Sequence, residues 1–321
     1  MNGNYFFVHI PKTAGTSFCT SLKRNKHVRM LYDYGKKIPA STPELVEIAP
    51  EELTSENPIF HTDKYNFICG HVKYARYAHC VSLNSVMSIV RNPVERLVSE
   101  YQHLKRHGII TASFKGFYLS KAQQNKQWTY LGDMSQGNRG LIGLTSHYKF
   151  FVEVFSIKFG LKMESIMVNQ APTSDVESRF QISPDDIRSA YRHNKKDINL
   201  FFREANKFNK LVQEIGYNTI PHKDAKWSCR VDDHKRRVVG WVSCSSKDCY
   251  FVEIKADGYR RVIIALDQER NDVYEKGLSE NPVCGFSYPL ALLGVEPGSK
   301  ISIGLLGAPS FVRTLAVDSD S

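Results

Sequence analysis

The feature that most restricts the fold of this chain is a short stretch near its start, residues 5–22. Residues 5–10 form an apolar run rich in β-branched and aromatic side chains, which predicts a buried strand that ends at Pro11. Residues 12–17 are small or polar with one cation, and the residues after them fit the start of a helix. A strand, a small-residue loop and a helix in this order direct backbone N–H groups and a helix N-terminus at an anion.

The residues of this loop have the chemistry that an anion requires. Lys12 brings a full positive charge, and three of the side chains carry hydroxyl donors. The loop is not a Walker A loop, because its lysine comes first, directly after the strand, and not late before a Ser or Thr. An ordinary strand–helix turn remains the alternative. The candidate anion ligands are Lys12, Thr13, Ala14, Gly15, Thr16 and Ser17.

A second strand–helix junction lies within residues 85–106. Residues 85–90 predict a buried strand, Arg91 follows at its carboxyl end, and Asn92 with Pro93 predicts a helix start. Ser99 lies off the apolar face of that helix, so it is not expected in the core. Because arginine offers a forked donor suited to phosphate and a serine hydroxyl can add a hydrogen bond, Arg91 and Ser99 form a second candidate anion site.

A histidine follows a third predicted strand. Residues 66–69 are strand-like, Gly70 interrupts them, and His71 comes next. Ligands of α/β folds usually bind at the carboxyl ends of the strands. An imidazole titrates near pH 6.5, which suits a general base that takes a proton from a hydroxyl. A capping or packed histidine is the alternative.

Together these segments resemble the sulfotransferase family. The order P-K-T-A-G-T-S at residues 11–17 resembles the 5′-phosphosulfate loop, and R-N-P-x-E-R-x-x-S at residues 91–99 resembles the 3′-phosphate loop. The triplet G-H-V at residues 70–72 resembles the segment with the catalytic histidine in the heparan sulfate 2-O-sulfotransferase branch and its bacterial relatives. The resemblance covers roughly residues 4–217.

The resemblance implies a fold, a donor and roles for these residues. The fold would be an α/β, P-loop NTPase-like three-layer domain with a central parallel sheet. The donor would be 3′-phosphoadenosine 5′-phosphosulfate (PAPS), bound by residues 12–17, Arg91 and Ser99. His71 and Lys12 would be catalytic, and a hydroxyl of a carbohydrate would accept the sulfuryl group. No metal is expected, because cations and N–H groups already face the anion.

Two other functions remain open at this point. A nucleotide-dependent phosphotransferase should carry a Walker lysine with an adjacent Ser or Thr and an acidic magnesium ligand, and the sequence has no matching set. A non-catalytic protein that binds polyanions or glycans would need only the basic surface. Neither the acceptor nor the oligomeric state follows from the sequence.

The remaining part of the first 225 residues gives weaker signals. Residues 23–62 form a polar, basic connection, and residues 164–168 predict another strand. Residues 169–183 form a polar loop, which in sulfotransferases closes over the nucleotide. Two helices are expected, one starting at Ser183 and one at Asp197.

The pattern changes near residue 226. Short alternating strands, separated by Gly, Pro, Asn and Asp, predict a small all-β sandwich that would form a second domain over residues 226–321. Residues 1–225 would then form the sulfotransferase domain and hold all of the chemistry. The expected strands of the sandwich are residues 238–242, 250–254, 261–266 and 300–306.

Charge separates the same two parts of the chain. Residues 1–225 contain 30 basic and 20 acidic residues, whereas residues 226–321 contain 13 of each. The first part therefore carries the whole net charge of +10, which suggests that it binds an anionic ligand or polymer. Nucleic acid is not predicted as a partner, because no nucleic-acid-binding signature is present.

The cysteines and the apolar segments suggest a compartment. The seven cysteines are odd in number and include no CxxC pair, which fits reduced thiols better than a disulfide framework. No apolar run approaches the 18 residues or more that span a membrane, and no signal segment precedes the first strand. We therefore expect a cytoplasmic protein, or one separated from its anchor.

Overall fold

The computed structural model describes residues 4–54, 56–60, 65–132, 134, 140–166, 182–232, 234 and 236–317. An α/β part comes first and a β-rich region follows. The elements of the α/β part are β1 (Tyr5–Val8), α1 (Gly15–Lys23), β2 (Met30–Asp33), α2 (Pro43–Val46), β3 (Phe67–Gly70), β4 (Val86–Val90), α3 (Pro93–Arg106), α4 (Phe114–Leu119), α5 (Lys126–Leu131), β5 (Leu141–Leu144), α6 (Tyr148–Phe159), α7 (Pro184–His193) and α8 (Lys195–Glu214). The β-rich region, residues 227–316, contains β6 (Trp227–Asp232), β7 (Arg237–Val242), β8 (Val252–Lys255), β9 (Arg261–Ile264), β10 (Gln268–Glu269), α9 (Asn271–Tyr274), β11 (Val283–Pro289), β12 (Lys300–Leu305) and β13 (Ala308–Ala316).

The α/β part is built on a five-stranded sheet with the order β2-β3-β1-β4-β5. Every neighbouring pair in it is parallel, which confirms the predicted central parallel sheet. Strand β1 is central and lies between β3 and β4, with Phe7 opposite Cys69 on one side and Met87 on the other. Strand β2 was not predicted, since it lies inside the polar connection of residues 23–62.

Both faces of this sheet are covered, because successive side chains of β1 point in opposite directions. The ring of Phe7 packs against Phe18 of α1, with centroids 4.7 Å apart. The ring of Phe6 packs against Tyr77, with centroids 5.1 Å apart. Both phenylalanines are fully buried, and burying each side chain stabilises the fold by about 1.5–3 kcal/mol.

The β-rich region consists of two four-stranded sheets, with the orders β10-β11-β7-β6 and β13-β12-β8-β9. All pairs within them are antiparallel. The four predicted strands match β7, β8, β9 and β12 to within a few residues, whereas β6, β10, β11 and β13 were not predicted. Trp227 of the first sheet contacts Phe311 of the second, with ring centroids 6.1 Å apart. The prediction of an all-β arrangement after the α/β part is therefore confirmed.

The β-rich region packs directly against the α/β part. The ring of His147 stacks on that of Phe251, with centroids 3.9 Å apart and an interplanar angle of 11°. At another point of the contact, Arg188 of α7 forms an ion pair of 2.8 Å with Glu296. Apolar and charged contacts thus both connect the two parts.

Three expectations about the end of the α/β part have different outcomes. Helix α7 begins as predicted, with the hydroxyl oxygen of Ser183 accepting a hydrogen bond from the N–H of Asp186 (3.1 Å), while α8 begins two residues before the predicted start. The predicted strand is wrong at residues 164–166, which form no strand. Residues 167–168 and most of the predicted loop, residues 169–181, lie outside the described residues. Among the described helices, none is long and apolar enough to cross a membrane.

Candidate active site

Three neighbouring strands end at the candidate site. The loop of residues 9–14 follows β1, His71 follows β3, and Arg91 follows β4. Because β3, β1 and β4 are adjacent and parallel, their carboxyl ends lie at the same edge of the sheet. The fold therefore brings the three motifs identified in the sequence to one edge, where ligands of α/β folds bind.

The loop after β1 holds two non-glycine residues in the left-handed region. Lys12 has φ 68° and Ala14 has φ 69°. Each such residue costs about 1–2 kcal/mol, and strain of this kind clusters at functional sites. Thr13, between them, is fully buried and its hydroxyl donates to the carbonyl oxygen of Ile10 over 2.9 Å. The Thr13 hydroxyl thus closes the loop, and its contribution to an anion site would come from its backbone N–H.

Helix α1 points its N-terminus into this loop. Its N-cap residue is Ala14, which has no side-chain group that could accept a hydrogen bond from the first-turn N–H groups. These N–H groups and the helix dipole therefore favour an anion at this end. Thr16 is exposed on the first turn, whereas Ser17 is buried. At Gly15 a Cβ atom would overlap the imidazole of His9, so that a glycine is required there.

The hydrogen bond of His71 defines its tautomer. Its Nδ1 atom lies 2.6 Å from the backbone carbonyl oxygen of His9. Because a carbonyl can only accept, Nδ1 carries the proton and Nε2 has the free lone pair of the neutral ring. Partial desolvation of the imidazole beside the rings of His9 and Tyr34 lowers the His71 pKa, although the hydrogen bond to His9 acts in the opposite direction. His71 is therefore neutral at pH 7 and can accept a proton at Nε2.

A buried charge cluster lies beside His71. The Nζ atom of Lys126 is 2.6 Å from Oε1 of Glu100, and Arg96 forms an ion pair with Oε2 of the same carboxylate. Burial favours a raised pKa for Glu100, but the charges of Arg96 and Lys126 outweigh it and hold the pKa below its usual value. Glu100 thus stays ionised and paired, which makes His71 the better proton acceptor of the two.

This cluster was not predicted from the sequence, although one signal for it was present. Arg96 and Glu100 have the i, i+4 spacing at which opposite charges meet on a helix. Lys126 lies on another helix, so only the fold brings it to Glu100. Its charge lowers the pKa of His71, whereas that of Glu100 raises it.

Both the backbone and the side chain of Arg91 are fixed. The side chain of Gln127 accepts from the Arg91 N–H (2.9 Å) and donates to the Arg91 carbonyl oxygen (2.8 Å). The Nε atom of Arg91 donates to Oε2 of Glu95 over 3.1 Å. Because this ion pair uses Nε, the two-pronged Nη end of the guanidinium is the part that can bind a phosphate. Ser99 is half-buried farther along the same helix.

The start of α3 agrees with the sequence. The Oδ1 atom of Asn92 accepts hydrogen bonds from the N–H groups of Val94 (3.0 Å) and Glu95 (3.2 Å), which confirms Asn92 as the N-cap. The Glu95 carboxylate binds Arg91, a contact that the i, i+4 spacing of the two residues could have indicated.

Lys12 lies within electrostatic range of α3. Partial burial lowers the pKa of His103 on that helix, and the charge of Lys12 lowers it further. His103 was not among the site residues predicted from the sequence. The Lys12 charge therefore acts on α3, the helix that follows Arg91 and carries Ser99.

Three potential metal ligands meet behind the loop, namely His9, Cys19 and Cys69. Burial lowers the pKa of His9 and raises that of Cys19, so these two side chains are neutral. The two sulfur atoms are 2.6 Å apart, whereas two thiolates on one tetrahedral zinc ion lie about 3.8 Å apart. This arrangement does not have the geometry of a zinc site, and the expectation of a metal-free reaction stays a prediction.

Comparisons with known proteins agree with the family that the motifs suggest. The model of the sulfotransferase family matches residues 3–159, which include the loop after β1, His71, Arg91 and Ser99. No curated protein matches the chain.

Two solved structures show similarity at low identity. A sulfotransferase from Alicyclobacillus acidocaldarius is 13% identical, with 65% of this chain and 96% of that chain covered and a TM-score of 0.39. The mouse sulfotransferase SULT7A1, solved in complex with PAP, is 16% identical, with coverages of 59% and 68% and a TM-score of 0.35. The family match is to residues 3–159, and over this part the chain is similar to the sulfotransferase family.

Proposed function

We propose that this protein transfers a sulfuryl group from PAPS to a hydroxyl of a carbohydrate. The observation that carries the proposal is the tautomer of His71, whose Nδ1 donates to the His9 carbonyl while Nε2 remains basic. This imidazole follows β3, next to the anion-binding loop that follows β1. Transfer of a sulfuryl group to a neutral hydroxyl requires a base next to a loop that binds the phosphosulfate.

The donor would bind along the same edge of the sheet. The N–H groups of residues 12–17 and the charge of Lys12 would hold the 5′-phosphosulfate. Arg91, with its Nη end, and Ser99 would hold the 3′-phosphate. The uncapped N-terminus of α1 and the fixed backbone of Arg91 support this placement.

The reaction needs one proton transfer and one displacement. Nε2 of His71 takes the proton of the acceptor hydroxyl while that oxygen forms a bond to sulfur. The bond from sulfur to the bridging oxygen of the 5′-phosphate breaks, and the electron pair stays on that oxygen. Lys12 and the loop amides stabilise the growing negative charge, so that positioning and electrostatics supply the catalysis.

A carbohydrate acceptor and the division of the chain are also part of the proposal. The G-H-V segment resembles the branch that includes heparan sulfate 2-O-sulfotransferase, and the excess of basic residues in 1–225 suits an anionic saccharide. We assign residues 1–225 to the sulfotransferase domain and residues 226–321 to an accessory β domain. Two observations support this boundary. The sequence changes near residue 226 to short alternating strands separated by turn residues, and β6 begins at Trp227.

Radiolabelled PAPS tests the proposal directly. The protein is incubated with donor and a panel of neutral and uronic-acid-containing polysaccharides, and label in the saccharide fraction is counted. We expect label only with PAPS and acceptor together. Saccharide binding without any transfer would favour the glycan-binding alternative. Transfer of labelled phosphate from ATP with magnesium would favour the phosphotransferase.

A further inference from the structure

A hydrogen bond from the β-rich region reaches the acid that holds Arg91. Tyr288, at the end of β11, is 4% exposed, and its hydroxyl donates to Oε1 of Glu95 over 3.0 Å. The other carboxylate oxygen, Oε2, accepts from Nε of Arg91 over 3.1 Å. The two contacts together fix the plane of the carboxylate, and the guanidinium is aligned against it.

A second contact joins the same two parts of the chain. The Nδ2 atom of Asn92 donates to the carbonyl oxygen of Arg261 in β9, over 3.0 Å. Asn92 is the N-cap of α3, so this bond holds the start of the helix that carries Glu95. The β-rich region therefore contacts both the cap of α3 and the partner of Arg91.

We propose that Tyr288 is a positioning residue for donor binding, and that the β-rich region thereby completes the 3′-phosphate site. The proposal rests on the proposed function, in which Arg91 binds the 3′-phosphate. It revises the expectation that residues 1–225 hold everything the chemistry needs. Tyr288 does not touch the donor; it acts through Glu95 on Arg91.

The effect of the hydroxyl follows from the charges around it. Without it, the Glu95 carboxylate loses the contact that fixes its rotation, and Arg91 can follow it away from the phosphate. The hydrogen bond from Tyr288 also offsets part of the negative charge on the Glu95 carboxylate. Removing the bond therefore frees the carboxylate to rotate and increases its repulsion of a phosphate, and both changes weaken phosphate binding.

The test compares two probes that differ only in the 3′-phosphate, adenosine 3′,5′-bisphosphate and adenosine 5′-monophosphate. Their dissociation constants are measured by calorimetry or competition for the full chain and for Tyr288→Phe. We expect the variant to bind the bisphosphate about three- to tenfold more weakly and the monophosphate unchanged. Tyr274→Phe is the matched control, because Tyr274 is an exposed tyrosine of the same region. It should change neither constant.

A double-mutant cycle separates positioning from a general loss of structure. In an Arg91→Ala background, Tyr288→Phe should have no further effect on the ratio of the two constants, since its only route to the phosphate is gone. The inference is overturned if Tyr288→Phe has the wild-type ratio of the two dissociation constants, whether both affinities are unchanged or both fall by the same factor. If the wild type itself binds the two probes equally, the donor assignment in the proposed function fails first.

Discussion

The Nδ1 atom of His71 and the backbone carbonyl oxygen of His9 lie 2.6 Å apart, although 62 positions separate the two residues in the sequence. The contact exists because His9 follows β1 and His71 follows the adjacent parallel strand β3. The backbone carbonyl of His9 thus determines which nitrogen of the His71 imidazole is basic. A candidate base is prepared by the backbone and needs no carboxylate partner.

Replacing His71 by alanine should separate turnover from donor binding. Because His71 would move a proton and would not hold the nucleotide, His71→Ala should lower kcat by roughly 10²–10⁴-fold. It should bind adenosine 3′,5′-bisphosphate like the wild type. His79→Ala is the matched control, since His79 is exposed on the segment that follows. Full turnover by His71→Ala at saturating acceptor would exclude the residue as the base.

The pH dependence of the transfer rate should reflect the titration of His71. Only the neutral imidazole accepts a proton, so the rate should fall as the pH drops through the His71 pKa. Partial desolvation lowers that pKa, and the acidic limb of kcat/KM for the donor should therefore have its midpoint below pH 6.5. A midpoint above 6.5, or an acidic limb that persists in His71→Ala, would contradict the assignment.

The sequence was sufficient for the motifs and for the order of the elements around them. The strands before Lys12, His71 and Arg91 were all predictable, because apolar runs and cap residues are local signals, but two of their ends were not. Strand β1 ends at Val8 and not at residue 10, and Gly70 belongs to β3 and does not interrupt it. Strand β2 was missed, because residues 30–33 lie in a polar, basic segment and become a strand only by pairing with β3. Tertiary pairing decides such short strands.

Most of the hydrogen bonds and ion pairs around the candidate site residues could not be predicted from the sequence. Glu95 and Tyr288 are 193 positions apart, and Lys126 meets Glu100 only because α5 packs near α3. The pairs Arg91–Glu95 and Arg96–Glu100 are the exceptions, since each pair is four residues apart in the sequence at the start of α3 or within it. Long-range partners of a site require the fold, whereas pairs four residues apart do not.

Removing Arg91 should mainly weaken donor binding. Loss of its charged, forked contact should cost about 2–4 kcal/mol in affinity for the bisphosphate, and Ser99→Ala should cost about 1 kcal/mol. Arg91→Lys should recover only part of the loss, because an ammonium cannot make the two-pronged contact. Calorimetry of the three variants measures these differences. Wild-type affinity in both alanine variants would show that this loop does not bind the donor.

Adding a single methyl group at Gly15 should disturb the loop. The new Cβ would overlap the buried imidazole of His9, which has little room to move. We expect Gly15→Ala to lower the free energy of unfolding by about 1–3 kcal/mol and to weaken bisphosphate binding. Gly258→Ala is the control, since no atom lies within 4 Å of its added Cβ. Thermal unfolding with and without ligand gives both quantities, and unchanged values for Gly15→Ala would contradict the packing argument.

Replacing Lys12 should lower both donor affinity and rate, in contrast to the effect at His71. Lys12 would touch the phosphosulfate in the ground state, and its charge should matter more as the bond to the bridging oxygen breaks. We therefore expect Lys12→Ala to reduce the single-turnover rate by a larger factor than it weakens bisphosphate binding. The substitution retains a Cβ atom at the left-handed backbone position, so the conformational cost there should stay similar.

The measurement pairs calorimetric affinities with single-turnover rates at saturating donor for Lys12→Ala, His71→Ala and Lys73→Ala. Lys73 is an exposed lysine near the end of β3 and serves as the charge-matched control. Lys12→Ala should differ from His71→Ala in the binding measurement, where only the lysine variant should lose affinity. If Lys12→Ala loses affinity but keeps the wild-type rate at saturation, the lysine binds donor and transition state equally. Its assignment to leaving-group stabilisation would then be wrong, and the loop amides and the N-terminus of α1 would have to supply that stabilisation.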